Sequence, residues 1–453
     1  MDQKRQLGVD PILDVRELPL GKTLLLGLQH LFAMFGATIL VPLLTGLDVS
    51  TTLLGAGVGT LLFHVITKGK VPAFLGSSFA FLGGYAAVAP MLDGQPNLDM
   101  LPYASGGVVA SGIVYVLLAL FIRAFGVRRV MRFFPPVVTG PIIVCIGLIL
   151  APSAIRNAQT DWLLAGVAIA AVIYFNIWGK GMAKIIPIML GILISYGLAA
   201  VLGRVDFSLM GTAQFFEVPL HPEAFAKFDL SAVITIMPIA LATIMEHIGD
   251  ISAIGASTGN NYIRNPGLHR TLIGEGVATA LASFFGGPAT TTYGENTGVL
   301  VLTKVYDPRV MQIAAGFSIL LSFFPAVSVI IRAIPAAIIG GVSLILYGMI
   351  SSIGVRNVVE NQVDFTKSRN LIVAASIFVC ALGFSAPDIN GITFHIGGAP
   401  INLSSLAIAA LVGILMNAVL PGKDYDFDEG QPQDTGVDFS ASFTKKEGKT
   451  ETQ

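Results

Sequence analysis

The segment IALATIMEHIGDISAIG, residues 239–255, sets Glu246, His247 and Asp250 in the middle of an otherwise apolar stretch. An ionisable side chain at bilayer depth is costly unless paired, hydrated or neutralised, so such groups face a polar pathway or one another. Glu246 and Asp250 are four residues apart and share a helix face, whereas His247 points about 100° away. The two carboxylates are therefore the candidates for ligand and proton chemistry. His247 fits better in a structural network between helices.

A second constellation is GGPATTTYGENTGVLVLTK, residues 286–304, where Thr, Tyr and Gly precede Glu295 and Asn296 and an apolar run follows. The β-branched run Thr290 to Thr292 favours an extended segment, and Glu295 then opens a half-helix whose first N–H groups have no partner within the helix. Irregular backbone at membrane depth is tolerated only where it is buried in protein or lines a cavity. KVPAFLGSSFAFLGGY, residues 70–85, repeats the plan: Pro72, an extended stretch, then Gly76-Ser77-Ser78-Phe79 opening a short helix. Two crossed broken elements would bring backbone donors and acceptors together near the midplane for a small planar polar ligand, with Phe79 placed to stack on it.

These constellations must be held by membrane helices. The chain has 453 residues, 54% of them apolar and 12% charged, and a mean hydropathy of +0.76. That composition leaves no room for a soluble catalytic domain. Candidate spans fall at 22–45, 51–67, 79–91, 101–123, 133–155, 162–178, 183–203, 230–255, 268–285, 295–304, 308–324, 333–353, 370–386 and 402–420. Trp162 and Trp178 bracket one of them as interfacial anchors would. Residues 1–21 are polar, and no removable signal peptide is expected. Cys145 and Cys380 each sit in an apolar run, so neither a disulfide nor a thiolate metal site is expected. No HExxH or paired-Asp pattern marks an intramembrane enzyme.

Positive residues near helix ends favour the cytoplasm. Fifteen Lys and Arg fall in connectors assigned inside, from Lys68 to Arg369, while the outside connectors carry only Arg156, Arg204, Lys227 and Arg332. An even number of spans puts both tails inside. The tail after Pro421 carries eight Asp or Glu against four Lys and is expected to be disordered.

An internal repeat shows through as well. RFFPPVVTGPIIVCIGLILAPSAIRN from Arg132 resembles RAIPAAIIGGVSLILYGMISSIGVRN from Arg332, with Arg132, Pro135, Gly140, Arg156 and Asn157 recurring 200 residues later. Seven spans per repeat is an odd number, so the halves would lie upside down relative to each other, as in alternating-access carriers.

Glu295-Asn296-Thr297-Gly298, followed by Thr303 and Lys304, fits the signature [Q/E/P]-N-x-G-x-x-x-x-T-[R/K/G] of the nucleobase-ascorbate transporter family. Gln29 and His30 fit its Gln-His pair. GSSFAF, Glu246-His247 and TTYGEN are similar to its bacterial uracil permease branch, and the resemblance covers nearly all of residues 22–420. It implies an all-α polytopic membrane protein of fourteen transmembrane segments in two inverted seven-helix repeats, with short extended segments and half-helices in segments 3 and 10. It also implies a core domain over 22–123 and 208–324 and a gate domain over 124–207 and 325–420, flanked by cytoplasmic segments 1–21 and 421–453.

By position, the resemblance implies that Glu246 and Glu295 hydrogen-bond a pyrimidine and that Phe79 and Gly294 offer backbone amides. Ala37, Ser78, Tyr293 and Tyr347 would line the site. Glu246, Asp250 and Glu295 would handle the coupling proton, and Gln29, His30, His247 and Asn296 would form the supporting polar network. Asp250 departs from the branch, where a histidine is usual. The implied activity is uracil import by proton symport across the bacterial cytoplasmic membrane, with no cofactor beyond the proton and lipid around the chain; the gate-domain faces leave room for a homodimer.

A carboxylate suits the N–H donors of uracil. Glutamine at position 295 would point instead to xanthine and other purines, the alternative within the family. An anion exchanger of the same fold would place basic residues or bare helix N-termini at the site.

Overall fold

The computed structural model describes residues 10–92, 95–206, 214–386, 388–389, 391–396 and 399–422. The polar tail from 423 onward, the first nine residues and the domain boundary expected at 207–208 lie outside the described residues.

The chain opens with α1 (Leu20–Thr45) and α2 (Val49–Ile66), joined where Gly46 turns left-handed and Asp48 accepts from the Thr51 N–H at 2.7 Å. An extended stretch with β1 (Leu75–Ser77) leads to α3 (Leu82–Val88), followed by α4 (Leu101–Phe125) and the short α5 (Val127–Met131). Next come α6 (Pro136–Ala158), α7 (Trp162–Trp178), α8 (Met182–Ile185) and α9 (Pro187–Val201), with a break before Pro187, which has no N–H to continue a helix. α10 (Leu230–Ile236) runs through a 3₁₀ turn around Pro238 into α11 (Ala240–Thr258), which Gly259 ends in a left-handed cap. α12 (Leu268–Phe284), β2 (Thr290–Thr292), α13 (Gly294–Thr303) and α14 (Arg309–Ser322) complete the next stretch. α15 (Pro325–Arg332), α16 (Ala336–Glu360), α17 (Ser368–Gly383), the β3–β4 hairpin (Ile392–Ile396 with Ala399–Leu403) and α18 (Ser405–Val419) close the chain.

Among the described residues, six helical segments are long and apolar enough to cross a membrane, and a seventh if α14 and α15, bent by 83°, count as one. α7, α9, α17 and α18 are shorter apolar helices. Large apolar side chains such as Phe121, Phe125, Val201, Val379 and Leu415 stand exposed, with Trp162 and Trp178 exposed at the two ends of α7. Lipid is the solvent that makes such a surface stable, and the chain is a multi-pass helical membrane protein.

Helices fall into two packed groups. α2 packs on α12 and α14, and α4 on α12; α6 packs on α16, α7 on α9 and α17 on α18. Glycine sets the α6–α16 crossing. A Cβ on Gly140 would come 2.4 Å from Val358, and one on Gly340 would come 2.2 Å from the Ala158 nitrogen. The two glycines are the repeat equivalents, each meeting the other helix's far end, so the pair is antiparallel with a local two-fold relation.

Two features depart from the sequence reading, and a third adds to it. The third element begins its helix at Leu82 rather than near Phe79, because pairing with β2 holds the chain extended through Ser77 and the Ser78 N–H donates to Ala289 O at 2.9 Å. The β3–β4 hairpin takes residues 402–403 from the last expected span. Residues 12–15, read from sequence only as part of a polar segment, are docked: Ile12 bridges Val305, the Val15 N–H donates to Asp307 at 2.8 Å, and Ile12, Val15, Leu26, Val305 and Val310 form a small separate core.

Candidate functional site

The two broken elements meet as an antiparallel pair, Leu75 opposite Thr292, Gly76 opposite Thr291 and Ser77 opposite Thr290. Each strand hangs from a helix by a threonine. The Leu75 N–H donates to the Thr60 hydroxyl at 2.9 Å, and the Thr279 hydroxyl donates to Thr290 O at 2.8 Å. Two three-residue strands cannot satisfy all their own backbone groups, and these threonines supply partners that water cannot reach here. The Tyr293 hydroxyl donates across the pair to Ser77 O at 2.9 Å, and its backbone N–H donates to Phe74 O at 3.1 Å. α13 then starts at Gly294, placing Glu295 in its first turn, where the helix has N–H groups without intrahelical partners.

Around this crossing lies a cavity with about 70 Å³ open to the centres of water molecules, lined by Phe79, Glu246, Asp250, Tyr293, Gly294 and Glu295. By that measure it has room for roughly five to seven waters, the scale of one small ring. Glu246 and Glu295 are half-buried and Asp250 is buried. Thr291, Thr292, Met245 and Gly249 complete this side, while Ile143 of α6 and Leu346, Met349, Ile350, Ile353 and Asn357 of α16 face it from the other helix group. Neither Lys nor Arg is among these lining residues.

Carboxylates also hold the scaffold. Oδ2 of Asp250 accepts from the Thr292 hydroxyl at 2.7 Å, while Oε2 of Glu275 accepts the Thr292 N–H at 3.1 Å. The Thr291 hydroxyl donates to the other Glu275 oxygen at 3.4 Å. Nδ1 of His247 meets Glu275 Oε2 at 2.6 Å, with both side chains wholly buried. His247 thus turns away from the cavity and ties α11 to α12. A separate link joins α13 to α1: Nδ2 of Asn296 donates to His30 O at 3.0 Å and lies 3.2 Å from His30 Nδ1. Gln29, next to His30, has its side-chain oxygen buried among these helices.

Six of the thirteen residues assigned by sequence to the site or its polar network therefore reach the cavity, namely Phe79, Glu246, Asp250, Tyr293, Gly294 and Glu295. Ala37, Ser78 and Tyr347 do not line it. Ala37 is buried on α1, Ser78 is turned by the strand pairing, and Tyr347 lines a neighbouring cavity. Sequence reasoning missed Glu275 and Asn357. Glu275 carried the same signal as Glu246, an acid inside an apolar helix in LIGEGVATALASFF; Asn357 had none beyond its place in the repeat.

Residues 21–389 match the family of xanthine and uracil permeases, described as the "Permease family". The chain is 40% identical over 427 residues to a protein named uracil permease from Bacillus caldolyticus, covering 91% of this chain and 95% of the relative. It is 39% identical over 411 residues to the uracil permease of Bacillus subtilis, covering 87% and 91%. Among solved structures it is similar to the transmembrane domain of a cyanobacterial bicarbonate transporter, BicA, with a TM-score of 0.61, 14% identity, and coverage of 90% of this chain and 99% of that one. At that identity the likeness concerns the fold alone.

Proposed function

The chain belongs to the Permease family, a membrane transporter family and not an enzyme family, and from that premise we propose that it imports uracil by proton symport through alternating access. The observation that carries the reading is the convergence of Glu246 and Glu295 on one small cavity that also receives the N-terminus of α13 and the Phe79 ring. Uracil offers N–H donors flanked by carbonyl acceptors. The two glutamates accept from the N–H groups, the backbone amides of Gly294 and Phe79 donate to the carbonyls, and the Phe79 and Tyr293 rings enclose the plane.

A cavity with three carboxylates and no cation in its lining is an expensive place for a neutral ring. Uptake of one proton by the Glu246, Asp250 and Glu295 group lowers the buried charge, so proton and uracil favour the same loaded state. Asp250 is the assigned coupling group, because it lies a turn from Glu246 and is bonded to the strand that carries the site.

The same reading takes the fourteen expected spans as seven plus seven inverted. α1–α4 and α10–α14 would form the core, and α5–α9 with α15–α18 the gate. Both termini would be cytoplasmic in a bacterial plasma membrane, and the exposed gate face would be available to lipid or a second copy. The local two-fold relation of α6 and α16 and the distribution of Lys and Arg support it.

Uptake of uracil and of xanthine into vesicles, with and without an inward proton gradient, tests it. Uracil should accumulate only with the gradient. Accumulation of xanthine in its place, or gradient-independent uracil uptake, overturns the substrate or the coupling respectively.

A further inference from the structure

α6 and α16, equivalent at an offset of 200 residues, each give five matching positions to a different cavity, while Ile143 of α6 also reaches the first and Tyr347 of α16 the second. The carboxylate cavity meets Leu346, Met349, Ile350, Ile353 and Asn357 of α16. A second cavity, of about 540 Å³ by the same measure, meets Ile146, Ile149, Leu150, Ser153 and Asn157 of α6. These are the same five positions in the other repeat. Because the helices are antiparallel, the two cavities lie toward opposite ends of the pair.

One aromatic contact stands between them. Phe79 lines the first cavity and Tyr347 the second, their rings edge-on with centroids 6.4 Å apart and planes at 73°. Beside the mouth of the second cavity, the Thr235 hydroxyl of α10 donates to Asn402 O of β4, joining the two helix groups on that side. The cavities differ in charge. The second has no carboxylate in its lining, and Arg156 is its one charged residue among the described ones.

We propose that the second cavity is the external vestibule for the planar nucleobase and that Phe79 and Tyr347 are the closed partition between it and the carboxylate cavity. The assignment to the outside rests on the transport reading and on both termini being cytoplasmic. The Asn157 amide offers a donor and an acceptor to a neutral heterocycle, and the Ser153 hydroxyl, whose hydrogen goes to Leu150 O at 2.6 Å, offers an acceptor. With no acid to take a proton, the vestibule holds its ligand without proton linkage. When the helix groups shift, the two rings part and the ring passes to the glutamates.

The test uses vesicles of known orientation and a chain with Cys145→Ala and Cys380→Ala. In that background S153C should react with a bulky impermeant thiol reagent from outside. Labelling should abolish uracil uptake, yet leave equilibrium uracil binding to the detergent-solubilised protein intact. N402C, at the mouth, replaces S153C if the latter folds poorly. A thiol in the carboxylate cavity, M349C, should be labelled from outside about tenfold faster or more when combined with Y347A, as a partition rarely open becomes open in most molecules.

Reaction of S153C only from inside, or unimpaired uptake after labelling, overturns the vestibule. Equal labelling of M349C with and without Y347A overturns the partition. If the unmodified wild-type chain accumulates no uracil, the substrate reading falls instead, and the labelling results still decide the vestibule.

Discussion

Thr292 donates its hydroxyl to Asp250 at 2.7 Å while its backbone N–H is held by Glu275 at 3.1 Å, so one strand residue is bound by carboxylates from two helices. The strand that leads into Glu295 therefore cannot shift without disturbing α11 and α12 together. Both acids are buried and their bonds are charge-assisted when ionised, which makes the crossing a fixed point of the site.

Removing that hydroxyl should be costly in a way a smaller change is not. Thr292→Val leaves Asp250 short of a donor, a loss of about 1–3 kcal/mol for a buried acceptor. Thermal stability and uracil binding should both fall, and Thr292→Ser should restore most of each. Equal behaviour of the two variants in a thermal shift assay and in equilibrium binding would show that the hydroxyl has no such role.

Binding and coupling should separate between Glu246 and Asp250. Glu246→Ala removes the acceptor for a pyrimidine N–H and leaves that donor unpaired, about 1–3 kcal/mol or more, so uracil binding should weaken about tenfold or beyond. Asp250→Asn keeps the shape but removes a titratable group, and proton-driven accumulation should suffer more than equilibrium binding. Loss of binding in D250N with intact binding in E246A would reverse the assigned roles.

Orientation is open to chemical labelling. A cysteine at Gln95, between α3 and α4, should react with an impermeant reagent from outside, and one at Asn260, after α11, only from the cytoplasm. The opposite pattern would invert the sidedness drawn from the Lys and Arg distribution.

Asp14, in the docked N-terminal segment, should not contribute to the pH profile of uptake. Hydrogen bonds from Arg16 hold the Asp14 carboxyl well below the usual carboxylate range, and Arg309 adds to the effect. A depressed folded-state pKa gives stability that is present above the unfolded value and lost only as pH falls through the folded one. Asp14 is therefore ionised throughout the range from about pH 5 to 8, given an ordinary Asp value near 3.9. Asp14→Asn should leave the shape of the uptake profile across that range unchanged, and a displaced optimum would contradict this.

Much of the fold and part of the site are determined by sequence alone. Apolar runs of spanning length, Trp162 and Trp178 at the ends of one helix and the skewed Lys and Arg make lipid the solvent whatever the packing, because each reports a local transfer cost. Glu246 and Glu295 stand out for the same reason, and Thr290 to Thr292 before Gly294 announce an extended segment followed by a half-helix. What faces the cavity is a matter of helix rotation and of segments far apart in sequence meeting. That decision belongs to the tertiary structure. It brings Glu275 under the strand from α12 and Asn357 across from the other helix group, turns Ser78 away through its bond to Ala289, and leaves Tyr347 in the second cavity. It also pins Ile12 beside Val305, a contact across nearly 300 residues that no local pattern encodes, because the free energy of such a contact exists only once both segments are already in place.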